Sequence, residues 1–320
     1  MRLLVTGGAG FIGSNFIRHK MEADPHTEII NCDLLTYAGN LNNLKGIDSQ
    51  SRYTFIKGDI CDRDLVSATL KKNSVDAIVH FAAESHVDRS ISDPSAFVRT
   101  NVLGTHTLLE AARNHCVPRF IHISTDETYG SIINGSFRET DILTPSSTYS
   151  ASKAGSDLLA LSYYTSYRLP VIVTRCTNNY GPYQYPEKLI PLFITNLIEG
   201  KKVPVYGTGK NIRDWIHVQD HCRAVDFLLE HGTPGEIYNI GGGNERTNLE
   251  ITYKILNLLG KDPSMVEYVA DRPGHDFRYS LDCTKLRALG WKPQYSFEKG
   301  LEETIAWYCQ NEWWWRPLKK

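Results

Sequence analysis

The chain has 320 residues, 41% of them hydrophobic before its 24 glycines are counted. That is enough apolar material to bury a sizeable core, and it excludes wholesale disorder. With 35 basic against 36 acidic side chains the formal charge is −1, so the composition calls for neither a nucleic acid nor an anionic membrane as partner.

No apolar run nears the ~18 residues of a membrane span. The short run Leu3-Leu4-Val5 is followed at once by Gly7 and Gly8, which argues against a signal peptide. Seven scattered cysteines without a CxxC pair disfavour a disulfide framework or structural zinc; no metal is expected, and the chain reads as soluble and cytoplasmic.

In chain order, strands are expected at 2–6, 28–32, 53–57, 76–81, 120–124 and 171–174, with helices at 11–23, 62–72, 95–115 and 148–168 between them. Short apolar runs alternating with helices predict an α/β fold, a doubly wound, Rossmann-like parallel sheet covered on both faces. After residue 175 glycine and proline punctuate the chain closely, as at Gly181-Pro182, Pro186, Pro191, Gly200, Pro204, Gly207 and Gly209. A dinucleotide-binding part over 1–175 and a smaller C-terminal substrate-binding lobe over 176–320 are expected, with a soft boundary across which the chain weaves back. The adjacent Trp313, Trp314 and Trp315 cannot all face one way on a helix, and packing against the chain or a second subunit is preferred to a membrane-interface role.

Directly after the first strand stand Gly7, Gly10 and Gly13, opening a helix. Glycines so spaced permit a sharp turn, a close approach to a pyrophosphate and tight helix–strand packing, while the helix N-terminus offers amide donors and a positive dipole. Asp33 ends the second strand 20 residues after Gly13, where a carboxylate grips a ribose 2′-hydroxyl and repels a 2′-phosphate. The expected cofactor is therefore NAD rather than NADP. Further strand ends bring Asp59-Ile60 and Ala82-Ala83-Glu84-Ser85 to the same edge. Asp59 is read either as an acceptor for the adenine amino group or as the N-cap of the next helix, and both can hold.

Tyr149 and Lys153 are four apart and share a helix face, so an ammonium stands near a phenol and is expected to lower its pKa toward that of a base. With these residues, and with Thr125 after the fifth strand, the whole chain resembles the extended short-chain dehydrogenase/reductase family, whose members act on nucleotide sugars. Asp126 and Glu127 separate the branches. Two adjacent carboxyls at a buried strand end are costly without a task, and elimination of water needs an acid beside a base. The strings Ala83-Glu84-Ser85-His86-Val87-Asp88-Arg89-Ser90, Asn178-Asn179-Tyr180-Gly181-Pro182-Tyr183, Pro186-Glu187-Lys188-Leu189-Ile190-Pro191, Ile212-Arg213-Asp214-Trp215 and Asp271-Arg272-Pro273-Gly274-His275-Asp276 are similar to the dehydratase branch. Thr128 departs from the valine usual there.

The resemblance implies a redox-neutral dehydration of dTDP-glucose on bound NAD. Tyr149, poised by Lys153 and Thr125, takes the 4-hydroxyl proton as hydride leaves C4; Glu127 removes the C5 proton while protonated Asp126 donates to the departing C6 hydroxyl; hydride returns to C6. By the same resemblance the cofactor site takes in Phe11, Ile12, Leu34, Thr36, Thr100 and Asn179, and the substrate site takes in Ser85, Thr125, Asn178, Lys188, Leu189, Pro204, Tyr206, Arg213, Asn248, Arg272 and His275. For Arg213, Asn178, Arg272 and His275 a plain salt bridge or loop hydrogen bond is the alternative, His86 serves the site or only orders its loop, and Tyr183 and Tyr206 stack on a base or merely pack. The competing functions are dehydration or 4-epimerisation of a UDP-sugar, and a non-catalytic NAD-binding scaffold. Family members pair through two long helices, here near 100–115 and 148–168, so a homodimer is expected.

Overall fold

Leu3 and Val5 face one way from strand β1 (Arg2–Thr6) and Leu4 the other, and all three are buried. A strand apolar on both faces belongs in the middle of a covered parallel sheet. A computed structural model, describing residues 1–271 and 276–319 apart from the side chains of Val87, Asp88 and Ile91, places it there. β2 (Glu28–Asp33), β3 (Tyr53–Lys57), β4 (Ala77–His80), β5 (Phe120–Thr125) and β6 (Val171–Cys176) follow within two residues of the expected bounds. Then come β7 (Asn178–Tyr180), β8 (Val203–Tyr206), β9 (Ile212–His217), β10 (Ile237–Ile240), β11 (Glu245–Thr247) and β12 (Val266–Val269).

The large sheet runs β10-β6-β5-β4-β1-β2-β3 and is parallel throughout. Its winding reverses between β1 and β4, which opens a crevice at the carboxyl ends of those strands. β10 lies beside β6 although it comes from chain past residue 175, so the second half does return to the first. Two small sheets, β11-β9-β7 and β12-β8, build the remaining lobe.

Helices α1 (Phe11–Ala23), α2 (Arg63–Asn73), α3 (Val87–Ser92), α4 (Pro94–Phe97), α5 (Thr105–Asn114), α6 (Thr148–Tyr167), α7 (Leu189–Ile198), α8 (Val218–His231), α9 (Asn248–Leu258), α10 (Thr284–Ala288), α11 (Phe297–Gln310) and α12 (Glu312–Trp315) complete the layers. α1 and α8 cover one face of the large sheet over Leu3, Val5, Val79 and Ile121, while α2, α5 and α6 cover the other over Leu4, Ile78, Phe120 and Val171. The single helix expected over 95–115 is instead interrupted, because Val98–Gly104 winds as a π-helix between α4 and α5. In that stretch the buried amide of Asn101 accepts from the Glu84 N–H and donates to the Glu84 carbonyl and the Ser152 hydroxyl, which ties the helix to the sheet edge.

The tryptophan tail folds onto its own chain. Trp314 and Trp315 are buried and Trp313 is half exposed, as three successive helical positions require. The Trp314 indole donates to Asn43 Oδ1 at 2.7 Å, and Trp315 donates to the Tyr308 carbonyl at 2.8 Å. Asn43 also donates to the Ala9 carbonyl of the glycine loop, so the tail braces that loop from behind. Trp314→Ala is expected to cost about 3–5 kcal/mol of unfolding free energy by chemical denaturation, whereas Trp313→Ala should cost well under half of that.

Candidate active site

β1 ends at Thr6 and the chain turns through Gly7, whose φ is +71°. A Cβ at Gly7 would lie 2.5 Å from the Ala82 nitrogen, and one at Gly13 would lie 2.3 Å from the Gly7 carbonyl. Only glycine allows this loop to close against β4 and against the first turn of α1. No side chain caps α1 at Gly10, so its N-terminus faces the crevice with amides and dipole open to an anion. Asp33, buried at the end of β2, accepts from the Ala9 N–H at 2.9 Å and the Leu35 N–H at 2.8 Å. Burial raises its pKa against those two bonds.

One cleft runs along the carboxyl edge. All the residues expected at the cofactor line it: Gly7, Gly10, Phe11, Ile12, Gly13, Asp33, Leu34, Thr36, Asp59, Ile60, Ala82, Ala83, Ser85, Thr100, Tyr149, Lys153 and Asn179. The glycine cradle, the uncapped helix start and the carboxylate at the end of β2 fit a dinucleotide. Asp59 is no N-cap: Asp62 accepts from the Asp64 and Leu65 N–H groups and caps α2, while Asp59 accepts from the Cys61 N–H and pairs with Arg99 at 2.8 Å. The cap goes to the aspartate nearer the helix because only that one reaches the first free amides.

α6 begins with a reciprocal cap in which Ser147 and Ser150 exchange side-chain and backbone hydrogen bonds, fixing its first turns where Tyr149 and Lys153 stand. Lys153 Nζ donates to the Ile123 carbonyl at 2.7 Å, and burial draws its pKa down to about 8 against the charge of Asp157. The expected acidic phenol is not found. Burial and the charge of Glu127 hold Tyr149 well above the ordinary tyrosine value, and a hydrogen bond with Thr125 only partly opposes them. The ammonium is directed at the Ile123 carbonyl, and desolvation of the phenol outweighs its help.

Thr125 ends β5, and residues Asp126–Tyr129 form a single 3-10 turn. The Thr125 hydroxyl accepts from the Glu127 N–H and donates to Asp126 Oδ1, both at 3.3 Å, so it organises the two carboxyls as well as the phenol. Thr128 is buried, and its hydroxyl donates to the Thr125 carbonyl at 2.8 Å, a bond that valine would not make. Burial lifts the Asp126 pKa well above the carboxylate range; the charges of Glu127 and Asp214 add to this and that of Arg213 opposes it. A neutral acid therefore stands beside a second carboxyl, within one cleft with Tyr149 and Lys153.

Ser85, Thr125, Asn178 and Lys188 line the cleft, with Lys188 donating to the Ser85 carbonyl at 3.3 Å. Leu189, Pro204, Tyr206, Arg213 and Asn248 do not line it. They sit on the adjoining lobe, where backbone bonds join Tyr206 to Gly209, Gly209 to Leu249 and Asn248 to Asn211. Arg213 is buried there, donating to the Ile212, Asp276 and Phe277 carbonyls, with its guanidinium 4.1 Å from the centre of the Tyr279 ring. Arg272 and His275 lie outside the described residues. Tyr183 packs on Trp307 and Trp314, and Tyr206 is largely exposed.

Some cleft residues were not singled out from sequence. Cys176 and Thr177 follow from the strand-end rule applied to β6, and Thr177 Oγ1 and Asn178 Oδ1 are buried without a hydrogen-bond partner among the described residues. Glu187 accepts from the Tyr37 hydroxyl at 3.0 Å and lies 3.6 Å from His86 and 3.7 Å from Arg89, closing the cleft mouth across three loops. Only its place in a quoted string hinted at this.

A family model described as GDP-mannose 4,6 dehydratase matches residues 4–304. The chain belongs to that family. Among GDP-mannose 4,6 dehydratase family relatives, it is 56% identical over 324 residues to the dTDP-glucose 4,6-dehydratase of Streptomyces niveus, covering 100% of this chain and 96% of that one. The crystal structure of DesIV, a dTDP-glucose 4,6-dehydratase from Streptomyces venezuelae with NAD and TYD bound, superposes with a TM-score of 0.97 at 56% identity over 100% of both chains. A dTDP-glucose 4,6-dehydratase from Bacillus anthracis str. Ames in complex with NAD gives 0.94 at 53% identity, again over 100% of both.

Gly7→Ala is expected to abolish retention of NAD, because its methyl group meets the Ala82 backbone at 2.5 Å. The nucleotide released on denaturing the purified protein, read by absorbance, should fall at least ten-fold below wild type.

Proposed function

We propose that this protein dehydrates dTDP-glucose to dTDP-4-keto-6-deoxyglucose with NAD as resident cofactor. The observation that carries this is the pair Asp126 and Glu127, adjacent in the turn after β5 and lining the cleft that holds Tyr149 and Lys153, with burial holding the Asp126 carboxyl toward its acid form. Full-length identity above 50% to dTDP-glucose 4,6-dehydratases supports the same substrate.

NAD, when bound, supplies the acceptor for hydride from sugar C4 and its return to C6. Tyr149, hydrogen-bonded with Thr125, takes the proton of the 4-hydroxyl as its phenolate, a form that burial disfavours in the free protein and that the positive charge of oxidised NAD, when bound, would favour. The C5 proton, acidified by the neighbouring ketone, goes to the Glu127 carboxylate. Asp126 gives its proton to the C6 hydroxyl as the C6–O bond breaks, and water leaves; when hydride returns to C6 a proton returns to C5, leaving the 4-keto-6-deoxy sugar. Burial and the neighbouring charge of Glu127 hold the Asp126 carboxyl toward its acid form, so a proton donor stands beside the base.

The sugar then lies against Ser85 and Thr125, and the nucleotide across Asn178, Lys188, Leu189, Pro204, Tyr206, Arg213 and Asn248. Arg213 links the two regions, since its charge reaches Asp126 while its guanidinium is fixed on the Asp276 and Phe277 carbonyls. With all seven cysteines unpaired and no described helix apolar enough to cross a membrane, we place the protein in the cytoplasm.

Pairing into a homodimer is assigned to the outer face of the π-helical segment and α6. There Val98 and Leu103 are exposed in an apolar groove that also takes in Val102 and Leu159, and Leu158, next to Leu159 in the chain, is 60% exposed. Leu158→Glu should leave the fold intact and halve the mass by analytical ultracentrifugation; a monomeric wild type would refute the assignment.

The chemistry is tested by giving the purified protein dTDP-glucose and UDP-glucose separately and reading products by mass spectrometry. Loss of one water from the dTDP sugar alone is expected. Asp126→Asn and Glu127→Gln should each lower net turnover by about 10²–10⁴-fold while reduced nicotinamide still appears. Unchanged turnover in both variants, or an unchanged mass with altered sugar stereochemistry, would refute the elimination.

A further inference from the structure

Three neighbouring strands break their own apolar pattern beneath α6. His80 on β4, His122 on β5 and Arg175 on β6 stand on the same face as Ile78, Phe120 and Val173, where alternation puts apolar residues, and all three are buried. Asp157 of α6, also fully buried, faces them. Its Oδ2 accepts from Arg175 Nε at 2.9 Å, and its Oδ1 lies 3.3 Å from His122 Nε2. His122 Nε2 lies 3.0 Å from Ser156 Oγ, which donates to the Lys153 carbonyl at 2.8 Å. None of Asp157, His122 and Arg175 lines the cleft. A buried ion pair stabilises a fold no better than apolar groups of the same volume, so stability alone gives no reason for one here. Position does: Tyr149, Lys153 and Asp157 are at i, i+4 and i+8 on one helix face, with Asp157 behind the ammonium.

We propose that Asp157, held by Arg175 and His122, is a positioning residue whose charge keeps the Lys153 ammonium protonated beside Tyr149 during turnover. This rests on the dehydration reading above. Burial lowers the lysine, and the Asp157 charge is the chief influence opposing it. Burial would raise Asp157 itself, but the His122 hydrogen bond and the charges of Arg175 and Lys153 hold it below the usual range, and so ionised.

The other groups facing the lysine do not take over this role. From β4 and β5, His80 and His122 are kept neutral, His122 with its pKa down to about 4, chiefly by burial. From β6, Arg175 is a fixed positive charge, and Cys176 is pushed up to about 12 by burial and stays a thiol. Asp126 and Glu127 stand on the cleft side, by the phenol, and burial raises Glu84 beyond them. From α5, Glu110 bonds the Tyr163 hydroxyl farther along α6.

Opposite substitutions give opposite shifts. In Asp157→Asn, with NAD bound, the alkaline limb of the kcat profile should move down by about one pH unit; in Arg175→Gln, which leaves the carboxylate uncompensated, it should move up by about as much. The double variant should return near wild type. Carbon-13-labelled lysine, with the Lys153 resonance assigned by Lys153→Met, should titrate with the same shifts in the NAD-bound protein without substrate. Loss of kcat in both variants with no movement of either titration would overturn the proposal and leave the pair a purely structural element. If Asp157→Asn does not fold, the sign of the Arg175→Gln shift decides. If wild type fails to turn over dTDP-glucose, the dehydration reading fails by itself, and the lysine titration still judges Asp157.

Discussion

Desolvation of ionisable groups along one sheet edge is the constraint from which the chemistry of this chain follows. A phenol, an ammonium and a carboxyl at the ends of β5 and the start of α6 are all removed from water, and each is displaced toward its uncharged form. In water a free aspartate is ionised near neutrality and cannot donate, and a free lysine is a solvated charge with no direction. Burial supplies the proton on Asp126 and sharpens every charge nearby. The sheet makes the burial possible, since parallel strands covered on both faces end in a dry rim, and reversal of the winding between β1 and β4 leaves a crevice there.

The lobe built after residue 175 complements that rim. Arg213, fixed by three backbone carbonyls, brings a positive charge toward Asp126 without exposing itself to solvent. Glu187 does the corresponding work at the other end of the cleft. It gathers Tyr37 from the loop after β2, and His86 and Arg89 from the start of α3, so this wall of the cleft is joined by a residue from after position 175.

The fold and the cofactor edge were legible in the sequence because both rest on local rules. Strand bounds came from short apolar runs, and the glycine loop came from spacings that only close backbone approach explains. Asp126 and Glu127 were legible because paired carboxyls at a strand end are expensive. What escaped depended on distance or on competition. The acidity of Tyr149 was misjudged because a spacing rule names the nearest charge and says nothing of desolvation. Asp59 was offered a cap that Asp62 takes. The π-helical turn has no local signature, and Asn101 within it bonds Glu84, seventeen residues away in the chain. The Asp157–Arg175 pair is eighteen residues apart and visible only once β6 lies under α6.

β10 enters the large sheet beside β6, and α8 packs on α1, although both follow the first excursion into the lobe. The two halves are thus stitched rather than strung in tandem. For inheritance this matters, because a single recombination near residue 175 would strand β6 without its neighbour and α1 without its cover. New substrate lobes can be exchanged onto such a scaffold only as insertions with two crossovers, on either side of α8 and β10. Diversification in this architecture should therefore proceed by rewriting loops in place rather than by trading whole modules.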